Sequence, residues 1–177
     1  MTIGEVSTMV QVIEFFNFKL VNTPFRAVKM TAFATSQHDV PLSGFKECEG
    51  TFPNKLTFYD YSPNPAISGQ PVTHKTHATD NVAIKNGSKL RIQAHFNNRL
   101  IEDRVTDFCK DWNSGGKCSG ATGNVQYEKT EILKDLSKIK DLPRNQSLDF
   151  NLRIELHTPQ NGILCCIEGP FHLIIPS

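Results

Sequence analysis

The sequence predicts an all-β protein built as an antiparallel β-sandwich, and two alternating stretches support that prediction most strongly. In SKLRIQAHF, every second residue from Leu90 to Phe96 is apolar, and in SLDFNLRIEL the same holds from Leu148 to Leu156. Because side chains of a strand alternate between its two faces, each stretch indicates one buried face and one solvated face. Turn-forming clusters such as SPNPAISGQP and KNGS separate the stretches, as is typical of sandwiches.

Two further segments are expected to be strands. LTFYDY precedes the first large turn cluster, and ILCCIEGPFHLII lies near the C-terminus. We expect Gly169 and Pro170 to interrupt the second of these, because glycine and proline both weaken a strand interior.

One segment, YEKTEILKDLSKIKDLP, fits two structures. Ile132, Leu136 and Ile139 recur at helical spacing, and Pro143 would end such a helix. The first part, residues 127–133, fits a strand equally well. Spacing alone favours the helix.

Composition restricts the classes of protein to consider. The 177 residues carry a formal net charge of +1 without a dense Lys/Arg run, so nothing indicates binding to nucleic acid or to an anionic membrane surface. The apolar share of 38% is ordinary for a folded core, and no apolar run reaches the roughly 18 residues that would span a bilayer. The length fits one domain with a short appendage.

Residues 1–42 differ from the rest and are expected to form a leader ahead of a domain at 43–177. Apolar residues between Val6 and Phe16 recur at helical spacing, which fits an amphipathic helix lying on the domain. The segment also fits a degenerate secretion signal, although Glu5 stands where such a signal needs positive charge. A disordered leader is the third interpretation, and the residues do not choose among the three.

The five cysteines stand at scattered spacings without a C-x-x-C, which disfavours zinc and redox motifs. Scattered cysteines in a β-rich chain predict disulfides and an oxidising compartment. Their odd number leaves one thiol free or paired outside the chain. Sequons at Asn86 and Asn145 are candidate glycosylation sites and fit a secretory route.

No pattern in the sequence indicates catalysis or a bound metal. His74 and His77 are an odd spacing apart, so a strand sends their imidazoles to opposite faces, and we expect a solvent-facing pair without a metal. Lys117 in the glycine-rich run is followed by Cys118, which departs from the phosphate-loop pattern, and no G-x-S-x-G elbow occurs. We therefore expect that the protein is not an enzyme and that it has no catalytic residue, no bound metal and no cofactor. Trp112 is expected to cover a ligand, to anchor an exposed loop or to pack over the end of the sandwich.

Three short motifs together resemble one known family. GFKECEG has a cysteine before the first clear strand, DFCKDWNSGGKC has two that close a short loop, and LCCIEGPF has one in the last strand. FKEC resembles the F-K-x-C, and CIEGP the C-x-E-x-P, of the ML or lipid-recognition family. That family includes Niemann-Pick type C cholesterol carriers, fungal phosphatidylglycerol/phosphatidylinositol transfer proteins and mite group-two allergens. The resemblance covers roughly residues 43–177.

This resemblance implies two disulfides. Cys48 matches the early family cysteine and Cys166 the one in the last strand, so a bridge between them would join the two ends of the domain. Cys109 and Cys118 match the pair that closes the short loop. Cys165 has no family counterpart, and its position on the apolar face of its strand fits a buried free cysteine.

The resemblance also implies an immunoglobulin-like sandwich whose two sheets splay apart around an apolar cavity that holds lipid. Apolar residues of three predicted strands are suitable walls. The candidate lipid-binding residues are Leu90, Ile92, Phe96, Phe150, Leu152, Ile154, Ile163 and Ile167. Alternation alone does not separate this cavity from a filled core, because the same residues would interlock in the latter.

We therefore expect a non-enzymatic protein that binds a sterol or a phospholipid and transfers it between membranes. Its membrane contact would be transient, nucleic acid would not be a partner, and the protein would be a monomer. It would be secreted or lie in an endolysosomal or vacuolar lumen. Two alternatives stay open: a protein-binding module of the same fold that uses lipid as a cofactor, and an immunoglobulin-like domain with a filled core. An exposed apolar rim would favour the first alternative.

Overall fold

The computed structural model describes residues 42–112, 118, 120–138 and 142–177. All but the last residue of the leader expected at 1–42 lies outside this part of the chain, so that division stays a prediction. No described helix is long and apolar enough to cross a membrane. The elements are β1 (Lys46–Glu47), β2 (Lys55–Ser62), β3 (Ala66–Ile67), β4 (Pro71–Asp80), β5 (Lys89–Phe96), β6 (Arg99–Asp107), α1 (Phe108–Trp112), β7 (Gly123–Ile132), β8 (Ser147–His157) and β9 (Ile163–Ile174).

The strands form two sheets, and the predicted all-β sandwich is confirmed. The first sheet has the order β1-β9-β8-β5-β6, and the short β3 joins it parallel to β9. The second sheet has the order β2-β4-β7. Apart from the β3–β9 contact, the described strands pair antiparallel. Antiparallel pairing leaves one face of each sheet free to meet solvent, which agrees with the alternation in the sequence.

Three neighbouring strands of the first sheet bring apolar residues into rows. Ile92 of β5 lies opposite Ile154 of β8, which in turn lies opposite Ile167 of β9. Leu90 and Leu156 pair in the same way two residues further along. Because opposed side chains of an antiparallel ladder contact each other, the predicted alternation becomes a continuous apolar surface on the inner face of this sheet.

The segment that fitted both a helix and a strand is a strand as far as Ile132. The family resemblance favours a strand there and is confirmed, whereas the helix that spacing alone slightly favours is wrong there. The whole of β7 pairs with the whole of β4, from Pro71 opposite Ile132 to Asp80 opposite Gly123. This ladder satisfies the backbone of an entire strand, and such tertiary pairing overrides a weak local preference for helix.

The residues after β7 form an irregular loop and not a helical turn. Ile132 is 47% exposed, whereas Leu136 is completely buried in the core. The hydroxyl of Ser68 holds the loop, since it accepts a bond from the Leu136 N–H at 2.8 Å and donates one to the Lys134 carbonyl at 3.0 Å. Ile139, the third member of the helical pattern, lies outside the described residues.

The last strand runs without a break across Gly169 and Pro170, so the predicted interruption is wrong. On its outer edge, β9 is paired by β1 only at residues 167–168 and by β3 only at residues 173–174. Between these pairings no described strand uses that edge, so the missing N–H of Pro170 breaks no ladder there. Gly169 in turn allows the backbone of Phe45 to pack directly against the strand.

The core consists of two clusters of buried side chains. The first cluster contains Tyr61 and Phe171, whose ring centroids are 4.9 Å apart. The second cluster contains Phe108 of α1 and lies at the other end of the sandwich. Ile154 packs against both clusters and therefore stands between them.

Both disulfides implied by the resemblance are present. Cys48–Cys166 joins the residue after β1 to β9 across a sequence separation of 118 residues. Cys109–Cys118 joins α1 to the following loop across a separation of 9 residues. Neither bridge connects a strand of one sheet to a strand of the other. Cys165 is the free cysteine, as expected.

Loss of the long disulfide should cost more stability than loss of the short one. A bridge stabilises by restricting the unfolded chain, by about 5 kcal/mol for the separation of 118 and about 2–3 kcal/mol for the separation of 9. The double Cys→Ser variant at 48 and 166 should therefore lose about twice the free energy of unfolding of the double variant at 109 and 118. Urea titration measures both. A larger loss for the short bridge would show that native packing outweighs loop closure.

Gly169→Ala should destabilise the protein. A Cβ at this position would lie 2.5 Å from the Cα of Phe45 and 2.6 Å from its Cγ, so backbone as well as ring must shift. We expect a loss of about 1–3 kcal/mol in the free energy of unfolding. Gly162→Ala is the matched control, because the nearest atom to its Cβ would be Thr158 Oγ1 at 3.3 Å. Equal melting temperatures for the two variants would contradict the close approach of Phe45 to β9.

Candidate functional site

A cavity lies between the two sheets. The centre of a water-sized sphere can move through about 90 Å³ of it. The inner faces of β5, β8 and β9 form one wall, here called the floor, and the inner faces of β4 and β7 form the opposite wall, here called the roof. The apolar side chains of the wall are Leu56, Ala78, Ile84, Leu90, Ile92, Phe108, Trp112, Leu133, Leu152, Ile154, Leu156, Ile167 and Phe171.

The cavity exists because the roof does not fill the space above the floor. Thr76 and Ala78 of β4 face inward over the isoleucine row of the floor and are too small to interlock with it. The other inward residues of β4 that line the cavity are the polar His74 and Asp80, whereas Val72 is buried in the first cluster. Side chains that are small or polar leave a gap where two rows of large apolar residues would close-pack.

Five of the eight residues predicted to contact lipid lie on the floor of this cavity. Each comes from an alternating strand, and the in-register pairing of those strands brings them together. They are Leu90, Ile92, Leu152, Ile154 and Ile167. Their contact with a lipid stays a prediction, but their shared position is a feature of the fold.

The other three predicted residues lie away from the cavity wall. Phe96 and Phe150 stack on each other with ring centroids 5.4 Å apart, and they pack into the first cluster beyond the end of the cavity. Ile163 leaves the inner face because the register of β8 and β9 shifts after Leu156, so that Leu164 is buried in its place. A bulge of this kind is not visible as a break in the alternation of the sequence.

The free thiol of Cys165 faces the cavity. It lies opposite Leu156 on β8 and shares the inner face with Ile167, as the sequence predicted. Burial raises the pKa of this thiol to about 12. The side chain therefore stays protonated at physiological pH and behaves as a small apolar group with weak reactivity.

A relay of buried polar side chains, which the sequence did not reveal, lies in the roof. Tyr59 Oη is 3.1 Å from His74 Nδ1, and His74 Nε2 is 3.3 Å from a carboxylate oxygen of Glu131. Burial raises the pKa of the Tyr59 phenol far above its ordinary value, so the hydroxyl stays protonated beside His74 Nδ1. The other ring nitrogen of His74, Nε2, faces Glu131.

The carboxylate of Glu131 is surrounded by positive partners. Its second oxygen lies 3.5 Å from Lys129 Nζ, and Arg104 of β6 attracts it from the facing edge strand. Burial acts to raise the pKa of the Glu131 carboxyl, but the contact with His74 and the charges of Lys129 and Arg104 outweigh it, so the pKa lies below its ordinary range. Glu102 and Asp111 also attract Arg104, so the two cations at this end have three carboxylates near them and the charges compensate one another.

The two histidines face opposite sides, as the odd spacing predicted, but the expectation that both meet solvent is wrong. His77 is on the outer face, with its ring centroid 4.7 Å from that of Phe58. His74 is buried, because β4 is the central strand of its sheet and its inner face is covered by the floor. Within the described residues, no group of three or more His, Cys, Asp or Glu side chains could hold a metal ion.

Trp112 ends α1 and belongs to the cavity wall. Its ring is nearly parallel to that of Phe108, and the ammonium of Lys129 lies 5.2 Å from its centroid. The ring therefore packs over the second cluster while one face contacts a buried cation. Trp112 therefore packs over the end of the sandwich and also contacts the cavity. Lys117, which belongs to the glycine-rich run after α1, lies outside the described residues.

Asp80, to which the sequence assigned no role, is the last residue of β4 and lines the cavity. Its side chain is buried at 2% exposure, next to Tyr127 of β7 and Cys165 of β9. Burial raises the pKa of its carboxyl to about 6, and a hydrogen bond from the Tyr127 hydroxyl offsets only part of that rise. In the part of the chain that the structure describes, no cation forms an ion pair with Asp80. Its even spacing from His74 was the available signal that it faces the same side.

Both sequon asparagines are exposed. Asn86 uses its side-chain oxygen to accept a bond from the Cys118 N–H at 2.9 Å, and Asn145 accepts one from the Ser177 N–H at 3.2 Å. In both cases the bond involves the oxygen and leaves the amide nitrogen, where a glycan would attach, outside the contact. Glycosylation at either position stays a prediction.

Fold and cavity together define a class of protein, the β-sandwiches that keep an internal apolar cavity between their sheets. No family model and no curated protein matches the sequence. Among solved structures, the Niemann-Pick type C2 protein from the Japanese carpenter ant is similar, with a TM-score of 0.56 and 18% identity over 73% of this chain and 98% of that chain. The chain therefore shares the fold of that protein, and the architecture that the ML-family resemblance implied is confirmed.

Two further solved structures align less well. Chicken MD-1 complexed with lipid IVa has a TM-score of 0.46 and 14% identity over 71% of this chain and 85% of that chain. The C-terminal domain of wzt has a TM-score of 0.47 and 10% identity over 72% of this chain and 76% of that chain.

Asp80→Asn should stabilise the protein at neutral pH. The folded state raises the pKa of Asp80 from 3.8 to about 6, so it holds a proton that the unfolded chain releases, and stability falls as pH rises through this window. Asparagine has no carboxyl that titrates, so the variant does not lose this stability as pH rises. Its free energy of unfolding should exceed that of the parent by roughly 1–2 kcal/mol at about pH 7.5 and match it near pH 3.

Asp103→Asn is the control of opposite sign for this prediction. The bond from Arg91 lowers the pKa of the Asp103 carboxyl, so its contribution is present above the unfolded pKa and is lost as pH falls. This variant should be less stable than the parent at neutral pH. Chemical denaturation at several pH values measures both, and a pH-independent effect of Asp80→Asn would contradict the buried, uncompensated carboxyl.

Proposed function

We propose that this protein binds a lipid in the cavity between its sheets and carries it between membranes without catalysing a reaction. The observation that supports this most directly is the cavity wall, in which the floor is a continuous apolar surface of three strands. The fold shared with a Niemann-Pick type C2 protein and the motifs that resemble the ML family support the same conclusion. The ligand would be a sterol or a phospholipid.

Apolar burial is the main favourable contribution to the free energy of such binding. Removing about 300 Å² of lipid surface from water contributes roughly 7 kcal/mol at about 25 cal/mol per Å². The loss of translational and rotational freedom opposes this by on the order of 4–15 kcal/mol. Net affinity is therefore modest, which suits a carrier that must release its ligand.

The cavity must widen to hold a lipid. Its volume of about 90 Å³ is smaller than the roughly 300–1,000 Å³ typical of ligand pockets. Separation of the two sheets is the least costly way to widen it, because neither disulfide connects a strand of the floor sheet to a strand of the roof sheet. We propose that the roof moves away from the floor when ligand enters.

The covalent features support an oxidising environment. Two disulfides and the exposed sequons at Asn86 and Asn145 fit a secreted protein or one in an endolysosomal or vacuolar lumen. In such a place the protein would act as a monomer that contacts membranes transiently. Immunodetection in cell fractions and in the medium tests this location.

A second candidate function is a protein-binding module that uses lipid as a cofactor. The observation that favours it is the exposure of Leu100 and Val105, at 51% and 55%, on the edge strand β6. Apolar residues on an edge strand are suited to contact a partner protein. A carrier exchanges its lipid between donor and acceptor vesicles, whereas a module of this second kind retains it, so a vesicle transfer assay separates the two.

Organic extraction of the purified protein, followed by mass spectrometry, tests lipid binding itself. We expect sterol or phospholipid at a molar ratio near that of the protein. If the protein contains no lipid and takes up none from vesicles, the proposed function is wrong and the sandwich is closed in solution.

Ile154→Trp should block lipid binding and leave the fold intact. Ile154 stands in the middle of the floor and between the two clusters, so an indole there extends into the cavity. In a filled core the extra atoms would cost about 1–3 kcal/mol or more. We expect a melting temperature close to that of the parent, together with loss of binding of a fluorescent sterol or phospholipid.

Ile132→Trp is the matched control, because Ile132 is 47% exposed and points away from the cavity. It should bind lipid as the parent does. Arg153→Ala is a weaker control, since Arg153 donates a bond at 2.8 Å to the buried carboxylate of Glu155 and its loss affects stability. A large drop in the melting temperature of Ile154→Trp, with no lipid binding by the parent, would favour a filled core.

A further inference from the structure

The ionisable side chains of the cavity wall differ in how their charges are compensated. Glu131 has Lys129 at 3.5 Å and His74 at 3.3 Å, and Arg104 also attracts it. Asp80 has no cationic partner among the described ion pairs, although it is as deeply buried as any of these groups. Among the described residues, the carboxyl of Asp80 therefore has no cation beside it, whereas that of Glu131 has Lys129 and Arg104.

The groups that face Asp80 from neighbouring strands are neutral. Tyr127 comes from β7 and Cys165 from β9, and burial raises the pKa of both, so neither is charged at physiological pH. Glu47, whose charge reaches Cys165 from the β1 side, is an anion and offers no compensation. The remaining wall at this end is apolar and includes Ile84, Leu90 and Leu156.

The carboxyl of Asp80 has more acceptor positions than its one partner among the described residues fills. A carboxylate has two oxygens with about four lone-pair positions, and the Tyr127 hydroxyl occupies one. A ligand that brings a further donor can therefore bind this carboxyl without displacing the Tyr127 hydroxyl, and a hydrogen bond to a charged group contributes more than one to a neutral group. Because Asp80 lies on the wall of an apolar cavity, a ligand in that cavity can donate a hydrogen bond to its carboxyl.

We propose that Asp80 binds the polar head of the lipid, and that this head is a hydrogen-bond donor, a hydroxyl or an ammonium, and not a carboxylate or phosphate. This inference rests on the proposed lipid-binding function and adds the class of head group. An anionic head would meet the uncompensated carboxyl of Asp80 at one end. At the other end it would meet Arg104, whose charge three carboxylates, those of Glu131, Glu102 and Asp111, already offset.

Ligands with the same chain and different heads test the inference directly. Delipidated full-length protein is titrated by calorimetry with 1-dodecylamine, 1-dodecanol and dodecanoate at about pH 7.5. We expect the amine, the alcohol or both to bind at least about tenfold more tightly than dodecanoate, since a hydrogen bond to a charged group is worth about that factor or more.

The variant Asp80→Asn identifies the group responsible. The amide keeps an oxygen that can accept the Tyr127 hydroxyl bond but removes the charge, so amine affinity should fall at least about tenfold. Asp149→Asn, which makes the same change at an exposed position on the outer face, should leave all three affinities unchanged. If Asp80→Asn does not fold, the preference of the unaltered protein among the three heads still decides the question.

The pH dependence separates the two kinds of head. Asp80 gains a proton below about pH 6, so the amine should bind more weakly at pH 5 than at pH 7.5, whereas the alcohol should bind similarly at both. Preferred binding of the amine or of the alcohol, weakened by Asp80→Asn, supports the inference. Equal binding of all three ligands, or tightest binding of dodecanoate, overturns the inference while lipid binding stands. If no ligand binds and no lipid co-purifies, the proposed function fails together with it.

Discussion

The structure depends on the in-register pairing of β5, β8 and β9. This pairing places Ile92, Ile154 and Ile167 side by side in one row, and similar rows lie on either side of it. Cross-strand contacts between such residues stabilise a sheet and also give it a continuous apolar inner face. The floor of the cavity is therefore the same set of contacts that holds the larger sheet together, and its shape is as rigid as the sheet.

The roof has a different composition, and that difference produces the cavity. The inner face of β4 offers Thr76 and Ala78 where a filled sandwich would need large apolar residues. Two sheets of equal apolar character would close-pack to native density and leave no room. Here the Cys48–Cys166 bridge lies within the floor sheet, and the Cys109–Cys118 bridge lies at its edge, so no disulfide joins a strand of the roof sheet to a strand of the floor sheet. This arrangement combines a stable floor with a roof that can separate from it.

Buried charge divides the cavity into two chemically different ends. At the Glu131 end, an acid and its cationic neighbours satisfy one another, and such a group adds little attraction for a ligand head. At the Asp80 end, a carboxyl that accepts a bond from the neutral Tyr127 hydroxyl lies in apolar surroundings. Specificity in a mostly apolar site comes from a small number of placed polar groups, and the uncompensated one is the better candidate for that role. The compensated end contributes instead to the position of Trp112 and the edge strands.

The sequence by itself determined the features of this protein that depend on the spacing of apolar residues along a strand and on short cysteine motifs. Strict alternation identified β5 and β8, and with them most of the floor, because a period of two assigns faces without knowledge of the partner strand. The resemblance of the cysteine motifs to those of the ML family implied both disulfides, and the structure contains them. The tertiary structure decided everything that depends on which strands become neighbours. The pairing with β4 made a strand of residues that had helical spacing as far as Ile132, and a shift in register removed Ile163 from the inner face. The order of the second sheet placed His74 and Asp80 inside, although their sequence resembles that of a solvated strand. Burial, ion pairing and the gap between two sheets are relations between distant segments, so no local pattern contains them.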